Sequence, residues 1–192
     1  MDIKLVAKTL IKVILTVAAC SVMAGVYGII HDQITITVSL DYFRYFKGLE
    51  YIPVTYRAGA AYIGWISTWW VGFFASLIMV VITLLKTRSE HFVRIILLRC
   101  VKIMCVAAGL GLIAGVFGYL FPLENNVWFG FLFPMQIKHF YDFALKNNVE
   151  NYTAFFSVWM IHNFGYFGGG IGALWQIISI LFFSKSKFIE EK

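Results

Sequence analysis

The chain contains 192 residues, of which 60% are hydrophobic and only 14% are charged, and it carries a formal net charge of +6. A soluble domain is usually about half apolar and about a quarter charged, so this composition excludes an ordinary globular fold, and the mean hydropathy of +0.80 favours a membrane protein. The length allows one domain and no separate soluble module.

The first predicted element is a transmembrane helix, TM1, over about residues 10–30. It follows a short basic segment with Lys4, Lys8 and Lys12, which is an arrangement also found in signal peptides. The apolar run is longer than the roughly 7–15 residues of a signal-peptide core. We therefore predict that this segment is retained as a membrane-spanning helix.

An outer loop, residues 31–59, is predicted to follow TM1. Its first part alternates apolar and polar residues from Ile34 to Asp41, which is the pattern of a half-buried strand. A second strand is predicted over residues 51–56, with Pro53 confining it to a sheet edge. The loop is therefore expected to form a small extracytoplasmic β-hairpin on the membrane surface.

The next apolar runs predict TM2 over about residues 60–85 and TM3 over about residues 95–121, joined by an inner loop over residues 86–94. Gly111 and Gly115 of TM3 have the GxxxG spacing that lets two helix backbones approach closely in lipid. TM4 also contains a run of glycines. These glycine-rich faces of TM3 and TM4 favour a homo-oligomer, or association with a partner membrane protein.

The second outer loop covers residues 122–152, and residues 135–147 within it fit a short amphipathic helix with its charges toward water. TM4 is predicted over about residues 153–183, which is longer than the roughly 20 residues that a bilayer requires. The predicted fold is therefore an all-α integral membrane protein. Residues 1–192 form a single domain of four transmembrane helices, with a small hairpin and a short helix on one side.

The charged residues differ between the two sides of these four helices. The side that holds both termini has eleven basic and four acidic residues, a net charge of +7. The other side has five basic and six acidic residues, a net charge of −1. Positive charge collects on the cytoplasmic side of membrane proteins, so we predict an integral plasma (inner) membrane protein with cytoplasmic N- and C-termini. The basic excess thus indicates topology and a bilayer partner, and it does not indicate nucleic-acid binding.

Polar residues are predicted to meet near the outer ends of the helices. A helix crosses a bilayer in about 20 residues. Such a span, counted back from Phe183, ends just after Asn163. This puts His162 and Asn163 near the outer boundary of the hydrocarbon. The other helices end at the same level, and Tyr27 and Tyr166 lie one turn deeper. The residues predicted at this level are His31, Asp32, Trp65, Trp69, Glu124, His162 and Asn163.

Two interpretations of this polar level do not involve chemistry. In the first, His162 and Asn163 hydrogen-bond the loops to the bundle, and the tryptophans form an interfacial belt. In the second, the level is an outward-facing site that binds or conducts something polar, since ionisable residues in membrane segments are functional suspects. The residues that such a binding site would use are His31, Asp32, Trp69, His162, Asn163 and Tyr166.

The third interpretation is an enzyme. Two histidines and a carboxylate can hold a divalent metal whose bound water performs hydrolysis, and the candidate ligands are His31, Asp32 and His162. His139 and Asp142, three residues apart on the predicted amphipathic helix, could add ligands. Our leading hypothesis is a non-catalytic binding, transport or accessory protein. The alternative is a metal-dependent membrane hydrolase or transferase that uses the three candidate ligands.

The predicted outline, with a strand-forming first outer loop, four helices and cytoplasmic ends, resembles the claudin-type four-helix proteins. The first-loop signature of those proteins is a tryptophan, a Gly-Leu-Trp motif and two cysteines. This first loop has none of these, and the three cysteines of the chain (Cys20, Cys100 and Cys105) fall elsewhere. The resemblance therefore concerns architecture only, and it assigns no residue or function.

Overall fold

The computed structural model describes residues 3–87, 92–121 and 134–187. Within these residues the fold is helical, without a β-strand. The described α-helices, which we number in chain order, are α1 (Ile3–Val38), α2 (Tyr56–Thr87), α3 (Phe92–Leu120), α4 (Pro134–Lys146) and α5 (Tyr152–Lys187). A π-helical turn (Tyr42–Phe46) and a 3-10 turn (Leu49–Tyr51) connect α1 to α2.

Four of these helices, α1, α2, α3 and α5, are long and apolar enough to cross a membrane. The prediction of four transmembrane helices is therefore confirmed by length and composition, and α4 confirms the predicted short helix between TM3 and TM4. The observed helices extend past the predicted spans, most of all in α1, whose 36 residues exceed what a bilayer requires. Glu124, which was predicted at the polar level, lies outside the described residues.

The first strand of the predicted β-hairpin is wrong, because α1 continues as a helix to Val38. The alternating apolar residues do not define the buried face, since Ile34 is 61% exposed. The buried residues recur at helical spacing and are mostly polar, so a hydrophobicity pattern does not detect the helix. They are Asp32, Thr35, Ile36 and Ser39. Thr35 Oγ1 also donates to the His31 carbonyl one turn earlier, at 3.0 Å.

The second predicted strand, residues 51–56, is also absent from the described structure. Gly48 has a left-handed backbone with φ of 70°, and the chain enters the 3-10 turn there. Pro53 has no N–H to donate to a sheet, and α2 begins soon after it at Tyr56. The strand-forming first loop that suggested the claudin-type resemblance is therefore not observed, and only the four-helix outline remains.

The helices α1 and α2 form the first of two closely packed antiparallel pairs. Gly28 and Gly64 face each other, and a Cβ atom on either would overlap the backbone of the other helix. Thr68 Oγ1 donates to the Ala24 carbonyl at 2.8 Å across the same contact. Small residues thus allow the two backbones to touch, which is a main source of attraction between helices in lipid.

The helices α3 and α5 form the second pair. A Cβ atom on Gly115 would overlap the Ile161 side chain, and Ser157 Oγ donates to the Gly115 carbonyl at 2.8 Å. Gly168, from the glycine run of α5, lies against Ala107 of α3. These glycines of the predicted self-association faces lie between two helices of one chain, and self-association stays a prediction.

The loop after α1 and the helix α4 form an aromatic cap at one end of the bundle, which we call the loop end. Tyr42 stacks on Phe46 with ring centroids 5.2 Å apart, and Phe46 contacts Phe143 of α4 edge to face at 5.8 Å. Phe143 and Phe140 of α4 both contact Phe155 near the start of α5. The cap therefore buries the first turns of α5.

The two helix pairs meet at Cys20 of α1 and Cys100 of α3. Both cysteines are buried and their sulfur atoms lie 3.0 Å apart, whereas Cys105 is exposed. The two sulfurs of a disulfide bond lie about 2.05 Å apart. The thiols of Cys20 and Cys100 therefore need to move only about 1 Å closer to form one.

We expect iodine, which enters detergent micelles, to oxidise Cys20 and Cys100 to an intramolecular disulfide. The two thiols lose two protons and two electrons, and iodine is reduced to iodide. Mass spectrometry of peptides from protein digested without a reductant measures the link. Cys100→Ala should remove it, and the matched control Cys105→Ala should retain it. A link between Cys20 and Cys105 would contradict the observed meeting of α1 and α3.

Candidate functional site

Three ionisable side chains from α1 and α5 meet at the loop end of the bundle. His31 Nδ1 donates to Asp32 Oδ1 at 2.9 Å, and His162 Nε2 lies 3.8 Å from the same oxygen. His162 Nε2 also lies 3.4 Å from Thr35 Oγ1, one turn along α1. Helices from different pairs thus contribute to one polar group, which we call the His31–Asp32–His162 cluster.

The cluster is shielded from its surroundings. Asp32 and His162 are each 3% exposed, and His31 is partly buried. In the described part of the chain, the ion-pair contacts of Asp32 are with these two histidines. Its second oxygen, Oδ2, is buried there without a hydrogen-bond partner. Because an unsatisfied buried acceptor costs roughly 1–3 kcal/mol, this oxygen marks a point where a bound group would be stabilised.

Aromatic rings hold the imidazole of His162 in place. Tyr42 stacks on it with centroids 4.8 Å apart and planes at 22°, and His31 meets it edge to face at 4.7 Å. Phe43 contacts it at 5.8 Å. Burial raises the pKa of Tyr42 above its ordinary value, so its hydroxyl stays protonated at neutral pH. The orientation of the imidazole is therefore fixed by packing against these three rings.

A cavity of about 610 Å³ lies beside the cluster, between the two helix pairs. All four long helices line it, with the His31–Asp32–His162 cluster at one end and Cys20 and Cys100 at the other. Cys20 precedes His31 by eleven residues on α1, which is a helical rise of about 16 Å. Between the two ends the lining residues are mainly apolar or small, and they include Ala24, Trp70, Met104, Ala107, Gly165 and Gly169.

A lysine lies near the cluster at the loop end of the cavity. Lys47 Nζ donates to the Tyr166 hydroxyl at 3.0 Å and lies 5.9 Å from the centroid of the Tyr42 ring. Tyr166 lines the cavity, and Tyr42 stacks on His162. The ammonium group is therefore held by the same aromatic residues that surround the cluster.

Of the six residues predicted for a binding site, the four that line the cavity are His31, Asp32, His162 and Tyr166. Trp69 is 41% exposed and Asn163 is exposed, and neither lines the cavity. Asn163 Nδ2 donates to the Trp159 carbonyl of its own helix at 2.7 Å. His139 and Asp142 are exposed on α4 and do not belong to the cluster.

Thr35, Tyr42 and Lys47 were not predicted as site residues, because the predicted hairpin put Thr35 in a surface strand and put Tyr42 and Lys47 between its two strands. The three-residue spacing of Asp32 and Thr35 is the signal that could have found the first of them, since it puts both on one helix face. Trp70 was also missed, because depth along the membrane gives no direction around the axis of α2, and its neighbour Trp69 was predicted instead. No pattern in the sequence indicates that Lys47 approaches the cluster.

Comparisons of the chain with models of protein families, with curated proteins and with solved structures find no match. The site is therefore interpreted from its own chemistry. Imidazole groups at the end of an apolar cavity, with the Lys47 ammonium beside the lining residue Tyr166, can bind a polar head while the cavity holds an apolar chain. Two imidazoles and a carboxylate can also bind a metal ion.

Proposed function

We propose that this protein binds a single-chain amphiphile within the membrane. The apolar chain of the ligand occupies the cavity, and a carboxylate or phosphate head lies at the His31–Asp32–His162 cluster. The observation that carries the proposal is a mainly apolar cavity that ends at buried ionisable residues. The role is one of binding, in transport or as an accessory subunit, without a chemical step.

The apolar part of the cavity suits an extended hydrocarbon chain. Its volume of about 610 Å³ falls within the roughly 300–1,000 Å³ of ligand sites in proteins. Gly165 and Gly169 lie on its wall, and a Cβ at either would have only ordinary contacts, near 4 Å, with Ala107. Because these glycines present no side chain, the wall on the α5 side stays open to a ligand.

The polar end of the cavity favours a head group that accepts hydrogen bonds. Lys47 supplies a positive charge near Tyr166, and His162 and His31 supply ring nitrogens. Hydrogen bonds in which the donor or the acceptor is ionised are about twice as strong as neutral ones. A carboxylate or phosphate head that shares a proton with Asp32 Oδ2, which is unpartnered among the described residues, and faces Lys47 therefore fits this end better than a hydroxyl head does.

We propose that the loop end faces outward from the plasma (inner) membrane and that both termini are cytoplasmic. The support is the charge difference, +7 on the side of the termini and −1 on the loop side, read with the preference of positive charge for the cytoplasm. In this orientation the cluster lies toward the outer leaflet, and the amphiphile would enter from there.

The test is native mass spectrometry of the purified protein, titrated in detergent with palmitate, hexadecyl phosphate and hexadecanol. We expect the two anionic amphiphiles to bind at one equivalent, and the alcohol to bind about tenfold more weakly. Gly169→Leu adds a side chain at the cavity wall without a clash at Cβ, which would lie 4.0 Å from Ala107 Cβ. We expect this variant to weaken palmitate binding about tenfold, or about 1.4 kcal/mol.

Gly109→Leu is the matched control, because no atom lies within 4 Å of its Cβ position and it does not line the cavity. It adds the same side chain to an exposed position of α3, and it should bind palmitate like the unaltered protein. Unchanged palmitate binding by Gly169→Leu would reject the cavity as the binding site. Equal affinity for all three amphiphiles would reject the role of the polar end.

A further inference from the structure

We infer that His31, Asp32 and His162 form a binding site for one divalent transition-metal ion of the zinc class. This site goes beyond the proposed binding of an amphiphile and does not depend on it. Three features support it: the separation of the ligand atoms, the unpartnered carboxylate oxygen, and the packing that holds each side chain.

The ligand atoms lie at distances that suit a single ion. Each residue offers one ligand atom, and the three atoms lie within 4.8 Å of one another. Zinc binds histidine nitrogen and carboxylate oxygen at about 2.0–2.2 Å in tetrahedral geometry, which separates the ligand atoms by about 3.4 Å. The distances to Asp32 Oδ1, 2.9 Å from His31 Nδ1 and 3.8 Å from His162 Nε2, fall on either side of this value. The ligand atoms that are up to 4.8 Å apart must approach each other by about 1.4 Å for the three residues to bind one ion.

Asp32 contains an atom that the described fold does not satisfy. Its Oδ2 is buried there without a hydrogen-bond partner. The side chain as a whole is only 4% exposed, so water does not supply the missing hydrogen bond. Buried charges in proteins are paired or coordinate metals. Lys47 donates to the Tyr166 hydroxyl, and the described ion pairs of Asp32 are with histidines. A divalent ion bound through Oδ1 would supply the compensating positive charge, and bidentate binding by the carboxylate would also give Oδ2 a partner.

The ligands are held in place before any ion binds. His31 and Asp32 are neighbours on α1, which is locked to α2 by backbone contact at Gly28. His162 is packed between the rings of Tyr42 and Phe43. Neighbouring groups that fix the orientation of ligating histidines raise metal affinity, so this arrangement favours binding over a chance meeting of three polar residues.

The ligand set selects the class of ion. Imidazole suits zinc and its transition-metal neighbours, whereas magnesium and calcium prefer sites made of oxygen ligands. Three protein ligands leave a fourth tetrahedral position, and the cavity adjoins the cluster. Water, or the head of a bound amphiphile, can occupy that position.

The test uses the full-length protein, purified, freed of metal with a chelator, and then exposed to Zn²⁺ or Co²⁺ alone. We expect about one equivalent of Zn²⁺ to remain after free metal is removed, measured by elemental mass spectrometry, and Co²⁺ to show the strong visible absorption of a tetrahedral site. His162→Phe keeps an aromatic ring beside Tyr42 and removes the ligand nitrogen, and Asp32→Asn keeps the side-chain volume. We expect either change to weaken Zn²⁺ binding about a hundredfold.

His139→Ala is the matched control, because His139 is an exposed histidine of α4 outside the cluster, and it should keep one equivalent. Circular dichroism checks the folding of each variant, and either folded cluster variant decides the test. Less than half an equivalent in the unaltered protein, or equal binding by the cluster variants, overturns the inference. Palmitate titration of the metal-free protein is independent: palmitate binding without a metal site rejects this inference alone, and a metal site without palmitate binding rejects only the proposed function.

Discussion

Gly28→Leu is expected to destabilise this protein more than any other single change considered. A Cβ at this position would overlap the Gly64 carbonyl group and the Thr68 hydroxyl. The backbone of Gly64 cannot move aside as a flexible side chain would, so α1 and α2 would have to separate. The separation also breaks the hydrogen bond from Thr68 Oγ1 to the Ala24 carbonyl. Over-packing costs roughly 1–3 kcal/mol, and lost packing along the pair adds to it. We expect the free energy of unfolding to fall by about 3 kcal/mol or more.

The measurement is unfolding of the purified protein in mixed micelles with increasing sodium dodecyl sulfate, followed by circular dichroism. Gly109→Leu serves again as the control, since its Cβ position is open. Its free energy of unfolding should be unchanged or raised by up to about 1 kcal/mol, because leucine has a higher helix propensity than glycine. Equal stability of the two variants would refute the backbone contact between α1 and α2.

His162→Ala is expected to lower the free energy of unfolding by about 3 kcal/mol, in the range for removal of a buried aromatic ring. The imidazole is 3% exposed and packs on the rings of Tyr42, Phe43 and His31. Its removal leaves a gap at the junction of α1, α5 and the aromatic cap. The same detergent titration measures the effect.

His162→Phe separates the packing role of this residue from its chemistry. Phenylalanine preserves the ring, and volume-conserving changes usually cost less than about 1.5 kcal/mol, so we expect this variant to remain folded. Asn163→Ala is the neighbouring control at an exposed position and should change the stability by less than about 0.5 kcal/mol. If His162→Ala were as stable as Asn163→Ala, the packing role of His162 would be rejected.

The four long helices could be predicted from the sequence because the bilayer imposes a simple rule. A spanning segment must satisfy its own backbone and present apolar side chains over about 20 residues, and α1, α2, α3 and α5 all contain such runs. The short helix α4 could be predicted as well, from charged residues at helical spacing. These features are local, so composition and periodicity are enough.

The loop after TM1 could not be predicted in the same way. Ile34 and Val38 are exposed apolar residues, whereas Asp32 and Thr35 are buried polar ones. Their positions depend on α5 and the cap, which contact α1 only in the folded chain. The alternation of apolar and polar residues after Ile34 therefore predicts a strand where the chain is helical. Tertiary contacts determine this last part of α1.

The candidate site could be predicted in part. Counting the length of one membrane-spanning helix back from Phe183 put His162 at the level of His31 and Asp32. The structure brings these three residues together. The count gives a depth along the membrane and no direction around a helix axis. For that reason it included Trp69 and Asn163, which lie outside the cavity lining, and left out Trp70.

The pairing of α1 with α2, and of α3 with α5, implies an order of assembly during synthesis. Chains fold from the N-terminal side as they emerge, and the glycine contact of α1 with α2 needs only residues up to 87. The cluster and the cavity also need His162 and Gly169 of α5, which are made after α1 to α4. A ligand or ion held there stabilises only the chain in which α5 has docked, so occupancy of the site would distinguish molecules with α5 in place from those without it.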